Sequence, residues 1–348
     1  MFYKGKGFLS RDGCGFFLLF DIVFTMQFSG KYLVVTGGAG FIGSGVIRAL
    51  NERNISEIVI VDDLGQSEKW KNLVGKQFID IIHKDSLFDW LKDRESEISA
   101  FIHLGACSST VETDAHYLLE NNYRYSKHLA AYALSHGHRF IYASSAATYG
   151  DGALGFSDTA DLNQFKPLNM YGYSKHLFDL WLSRQNVLDK VVGLKYFNVF
   201  GPNEYHKGRM ASAITKMVPD VLQTGQIKLF RSSEPDKYLD GGQIRDFIYV
   251  KDIAEMTIQF LNNDRSGIFN MGSGNEHTWN DLAHAVFLAL EKKADITYVD
   301  MPLDLRGKYQ NYTCADMSQS HDLLQPKYSL EAAVKDYLKN YLIRGQYW

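Results

Sequence analysis

A short apolar run that ends in a glycine-rich turn constrains this chain more than any other feature. Tyr32–Thr36 (YLVVT) is rich in β-formers. Gly37, Gly40 and Gly43 follow in G-x-x-G-x-x-G spacing, and a helical pattern covers Phe41–Asn51. Each glycine has its own physical reason. The first permits the tight turn, the second lets backbone approach a pyrophosphate, and the third lets the helix pack closely on the strand. The helix N-terminus then attracts phosphate charge. A glycine turn can also exist without a ligand, but the strand–turn–helix context is the one that dinucleotide binding requires.

The rest of the first 200 residues repeats this alternation. Ile58–Val61, Phe78–His83, Ala100–Leu104, Phe140–Ser144 and Val191–Phe197 read as strands, with helical patterns over about Ala115–His136 and over Tyr171–Gln185. Short apolar strands alternating with helices predict an α/β fold, a doubly wound parallel sheet of Rossmann type. After Gly201 the pattern loosens. Helices are expected over Met210–Leu222, Asp252–Leu261, Trp279–Lys292 and Ser329–Leu342. Strands are expected at Lys228–Phe230, Asp246–Val250 and Gly267–Met271. The 348 residues thus divide into an extension (1–30), a dinucleotide-binding part (31–200, partly rejoined by 246–275) and a smaller substrate lobe (201–348).

Composition removes several classes of function. A formal net charge of −3 gives no basic footprint for nucleic acid. Apolar residues make up 45% of the chain, enough for a buried core. The three cysteines, at 14, 107 and 314, are too scattered for a disulfide framework or a zinc site, so no metal is expected and a reducing cytoplasm fits. Residues 1–30 read differently. Lys4 and Lys6 precede the apolar run Phe16–Met26, which is shorter than the roughly 20 residues of a membrane span and has no small-x-small cleavage site after it. The segment is expected to be a dispensable extension, with Met26 as an alternative start.

Two constellations carry chemistry. Asp62 and Asp63 end the second strand, where an acidic side chain accepts hydrogen bonds from an adenosine ribose. Lys69 and Lys84 are close enough in sequence to reach a 2′-phosphate, or are merely solvated charges. Ser144 and Ser145 close the fifth strand, at the carboxyl edge of the sheet. Tyr171 and Lys175, four apart, share one helix face. A nearby ammonium and a cationic nicotinamide would favour the phenolate and make Tyr171 a usable base.

Together these motifs resemble the extended short-chain dehydrogenase/reductase family, the nucleotide-sugar epimerases and dehydratases. Six stretches are similar to its ADP-heptose 6-epimerase branch: GACSSTVETD (105–114), ENNYRYSKHL (120–129), YASSAATYG (142–150), PLNMYGYSKHLFD (167–179), YFNVFGPNEYHKGRMAS (196–212) and RDFIYVKDIA (245–254). The resemblance implies an isomerase that epimerises C6 of an ADP-linked heptose, by transient oxidation and re-reduction, for the lipopolysaccharide inner core. It also implies bound NADP, a cytoplasmic location and a ring-like homo-oligomer, a pentamer.

By the same resemblance Tyr171, Lys175, Ser145 and a second acid/base residue, Lys207, are catalytic. Phe41, Ile42, Asp62, Asp63, Lys69, Lys84, Leu104, Gly105, Ala106, Cys107, Ser108, Asn121, Lys175 and Val199 match cofactor contacts, with Gly37, Gly40 and Gly43. Asn198, Phe230, Arg231, Ser232, Ser233, Arg245 and Tyr309 match substrate contacts. Three departures stand out. Arg209 and Lys216 replace a serine and a histidine in the substrate site, the loop 234–243 is long, and Asp63 replaces an asparagine, which favours NAD. A UDP-hexose 4-epimerase and a non-catalytic dinucleotide-binding protein are the competing readings. The intact Ser145, Tyr171 and Lys175 set argues against the second.

Overall fold

The computed structural model describes residues 30–302 and 309–348. The expectations for the N-terminal extension and its apolar run therefore lie outside the described residues. A seven-stranded sheet forms the centre. Its first six strands in chain order are β1 (Tyr32–Thr36), β2 (Ile58–Asp62), β3 (Asp80–His83), β4 (Ile98–His103), β5 (Arg139–Ser145) and β6 (Val192–Tyr196). The spatial order is β3-β2-β1-β4-β5-β6, with Gly267–Met271 seventh, and every pairing is parallel.

Side-chain alternation explains why the sheet is covered on both faces. Leu33 and Val35 of β1 join Ile60, Ile102 and Ile141 on one face, under α1 (Phe41–Asn51) and the helix Val250–Gln259. Val34 joins Val59, Phe101 and Phe140 on the other, under Leu129 of helix Tyr125–Ser135 and Phe178 of helix Met170–Arg184. The order reverses at β1, which pairs with β2 on one side and β4 on the other. A crevice opens at such a switch point, outside the carboxyl ends of the strands.

A second core lies beyond β6. Ile214, Val218 and Val221 of helix Ile214–Thr224 meet Leu282 and Val286 of helix Trp279–Ala289, and Val334 and Tyr337 pack against them. Short strand pairs frame it: Asn198–Phe200 with Phe247–Tyr249, Ile227–Phe230 with Ile296–Val299, and Ile244–Arg245 with His277–Thr278. Ile296–Val299 is a strand the sequence reading left unassigned. The helix expected from Met210 starts only at Ile214, because Gly208 at φ +51° turns the chain first.

Candidate active site

The glycine turn faces the crevice. Gly37 has φ +67°, and a Cβ there would lie 2.6 Å from the Gly105 nitrogen, so the β1 turn and the loop after β4 nearly touch. At Gly43 a Cβ would come within 2.1 Å of the Gly37 carbonyl oxygen. Gly40 caps α1 with no side-chain hydrogen bond, and the first turn holds no acidic residue. The leading amides of α1 therefore point at the crevice without a carboxylate competing for them, which suits a pyrophosphate.

Asp62 braces this turn. One carboxylate oxygen accepts the Ala39 amide at 2.8 Å, and the other accepts the Asp63 amide and the Lys69 ammonium. Asp63 is exposed, and Lys84 donates to the Asn121 amide oxygen at 2.8 Å. The glycine turn, Phe41, Ile42, Asp62, Asp63, Lys69, Lys84, Leu104–Ser108 and Asn121 line one cavity of about 440 Å³.

A second cavity of about 540 Å³ is lined by Ser145, Tyr171, Lys175, Asn198, Val199 and Lys207, among others. The two share Phe41, Ile42, Leu104, Ala143, Tyr196 and Lys207, so they form one cleft. Asn169 caps the helix Met170–Arg184, which carries Tyr171 and Lys175, by accepting the Gly172 amide at 2.8 Å. A Cβ on Gly172 would lie 2.7 Å from the Ala147 carbonyl oxygen, so this glycine lets the helix press onto the turn after Ser145. Burial raises the Tyr171 pKa, and the Ser145 hydroxyl facing it works the other way. Lys175 donates to the Ala143 carbonyl at 3.0 Å. Burial pulls its pKa down to about 8, against the pull of Asp179 and Cys107.

Lys207 enters from the turn Tyr205–Met210, with its ammonium 5.3 Å from the centre of the Phe41 ring. Burial lowers its pKa, and Glu204 opposes this. Glu204 is itself buried, which raises its pKa, although it accepts the Ser212 amide at 2.6 Å and hydroxyl at 2.7 Å.

The remaining expected residues stand outside the cleft wall. Arg245 stacks 4.8 Å from the Tyr309 ring and 5.7 Å from Trp279, and Phe230 packs edge-on against Tyr309. Of this cluster only Trp279 lines the cavity. Arg231 is exposed and pairs with Asp300 at 3.1 Å; the Ser232 amide donates to Asp240, and Ser233 faces Asn311. Arg209 and Lys216 are exposed and line neither cavity. Sequence reasoning missed Asn122. Its side chain accepts the Cys107 amide at 2.8 Å and donates to the Ser174 hydroxyl at 3.0 Å, tying the β4 loop to the helix of Tyr171 and Lys175. A π-turn over Leu119–Arg124 presents it. The available signal was two adjacent asparagines, poor helix formers, inside a helical stretch.

The turn, crevice and tyrosine–lysine helix can be set beside known proteins. The model of the NAD dependent epimerase/dehydratase family matches residues 33–272. The chain belongs to this family. Within the family, a protein from Nitratidesulfovibrio vulgaris (strain DP4), named ADP-L-glycero-D-manno-heptose-6-epimerase, is 52% identical over 315 residues, 89% of this chain and 97% of its own length. The crystal structure of a Helicobacter pylori protein of the same name superposes with a TM-score of 0.74 at 26% identity, covering 90% of this chain and 96% of that one. A UDP-N-acetylglucosamine 4-epimerase from Methanobrevibacter ruminantium has the same TM-score of 0.74 at 26% identity, covering 91% and 100%. Backbone likeness within the epimerase/dehydratase family therefore does not separate substrates, whereas the sequence identity points to one of them.

Proposed function

We propose that the chain epimerises C6 of the heptose in ADP-D-glycero-D-manno-heptose, giving the L-glycero form with NADP bound in the cleft. By the family resemblance the product serves lipopolysaccharide inner-core synthesis in the cytoplasm, and the enzyme works as a ring-like homo-oligomer. One observation carries the reading: Lys207 reaches the cavity of Tyr171 and Ser145 from a separate element, so two acid–base groups serve one carbinol. A bound nicotinamide dinucleotide supplies a reversible hydride acceptor. Tyr171 and Lys207 move the C6 hydroxyl proton, one on each face of the sugar carbon, and inversion requires both. Ser145 orients the hydroxyl, and Lys175 favours the phenolate by its charge. Residues 201–348 hold the nucleotide-sugar, and the family resemblance assigns the Arg245 guanidinium, stacked beside the cleft-lining Trp279, to its diphosphate.

The preference for NADP rests on Lys69 and Lys84, both on the cavity wall. The Asp62 carboxylate is already satisfied by the turn and by Lys69. It therefore discourages a 2′-phosphate less than a free acid would. The test is turnover. NMR of ADP-D-glycero-D-manno-heptose should show conversion to the L-glycero epimer, and UDP-galactose should stay unchanged. Conversion of UDP-galactose alone would overturn the reading.

A further inference from the structure

Asp179 and Lys195 line neither cavity, and both side chains are 0% exposed, 2.8 Å apart. A buried ion pair is poor evidence for stability, because apolar residues of similar volume usually do as well. Its partners suggest another role. The Asp179 carboxylate accepts the Tyr142 hydroxyl at 2.9 Å and the Ser144 hydroxyl at 2.7 Å, both from β5. Lys195, on β6, also donates to the Thr148 hydroxyl at 2.6 Å, and Thr148 donates to the Ser145 carbonyl at 2.8 Å. A Cβ on Gly193 would lie 2.5 Å from the Tyr142 hydroxyl oxygen, so the glycine makes room for that contact.

These links close a circuit. Asp179 sits one turn beyond Lys175 and two beyond Tyr171 on the catalytic helix. From it the bonds run through Lys195 and Thr148 to the backbone of Ser145, whose hydroxyl faces Tyr171. We propose that Asp179 and Lys195 are positioning residues that lock Ser145 and the turn after it against the Tyr171–Lys175 helix. The proposal rests on the catalytic reading of Tyr171 and Ser145 given above.

The circuit also has an electrostatic side. The groups facing the pair are Tyr142 and Ser144 on β5, Thr148 and Tyr149 after it, Lys175 and His176 on the helix, and Asp158 from the following loop. Lys175 in turn faces Asp179, Cys107 and His103. Asp179 opposes the fall that burial imposes on the Lys175 ammonium, and an ammonium one helix turn from Tyr171 would favour its phenolate on the catalytic reading given above.

The test removes both charges at once, with Asp179→Asn plus Lys195→Met, so that neither partner is left uncompensated. We expect kcat to fall by about 10- to 100-fold, the scale of a small misplacement of reacting groups, with KM little changed. The Tyr171 phenolate, read by ultraviolet difference titration against Tyr171→Phe, should form at higher pH, and the acidic limb of kcat should move up with it. Asp179→Glu or Lys195→Arg should restore most of the rate and the original pH profile. Wild-type kcat and titration in the double variant would overturn the proposal. If the double variant does not fold, Thr148→Val cuts only the bridge to Ser145 and should show the same signature more weakly. An unchanged rate there would overturn the proposal equally. The phenolate titration needs no substrate, so a wild-type chain inert on the ADP-heptose would refute the functional reading alone.

Discussion

Burial by itself leaves less Tyr171 phenolate present near neutral pH than a free tyrosine would have, since it disfavours the charged form. The Ser145 hydroxyl opposes this, and in the proposed mechanism the Lys175 ammonium and the positive ring of an oxidised nicotinamide would add to it. For Tyr171→Phe we expect retained dinucleotide affinity, measured by fluorescence titration, with epimerase turnover down at least ~10²-fold. Turnover near wild type would remove Tyr171 from the mechanism. The Tyr171 and Lys175 pair was legible in the sequence because spacing of four on a helix fixes a shared face. Glu204 and Asn122 were not, because they act through backbone amides that are close only in three dimensions.

Among the elements, the strand–turn–helix at residues 32–51 was readable because glycine spacing, strand propensity and helix periodicity all agree there. Gly43 is its most exacting position. An added methyl would meet the Gly37 carbonyl oxygen, backbone that cannot turn aside, whereas at Gly40 the nearest atom is 3.0 Å away. Gly43→Ala should therefore shift α1 off the turn, weakening dinucleotide binding by tenfold or more and lowering Tm by several degrees, on the scale of ~4 °C or less per kcal/mol for a chain of this size. Gly40→Ala should do less. Equal affinities for the two variants and wild type, by isothermal titration, would refute this account. Elements with mixed signals were harder to read. Ile296–Val299 carries a β-branched and aromatic run but is only half-buried, and the π-turn at Leu119–Arg124 shares the periodicity of the helices around it.

Over the whole molecule, a net charge of −3 hides a cleft rich in cations. Lys69, Lys84 and Lys207 line the dinucleotide cavity, and Lys175 and Lys207 line its neighbour. Composition could exclude a nucleic-acid footprint but could not reveal that convergence, which depends on strands β1 to β6 delivering loops to one edge. Lys207 is where the two halves of the cleft meet. Lys207→Met should leave dinucleotide affinity and thermal stability near wild type while cutting epimerase turnover by about 10²-fold. Unchanged turnover would refute the two-base scheme and leave phosphate binding as its role.

The seventh strand, Gly267–Met271, also bears on how the chain is made. It covers β6, whose five residues are all buried, yet it lies some seventy residues later. A nascent chain that has emerged only as far as β6 carries, at the rim of its sheet, a strand paired with β5 on one side and open on the other, the kind of edge that recruits other strands. The sheet can close only after the intervening segments of the second core have been synthesised. The first half of the molecule thus waits for the second, and slow or interrupted translation in that interval is the moment of greatest exposure to misassembly.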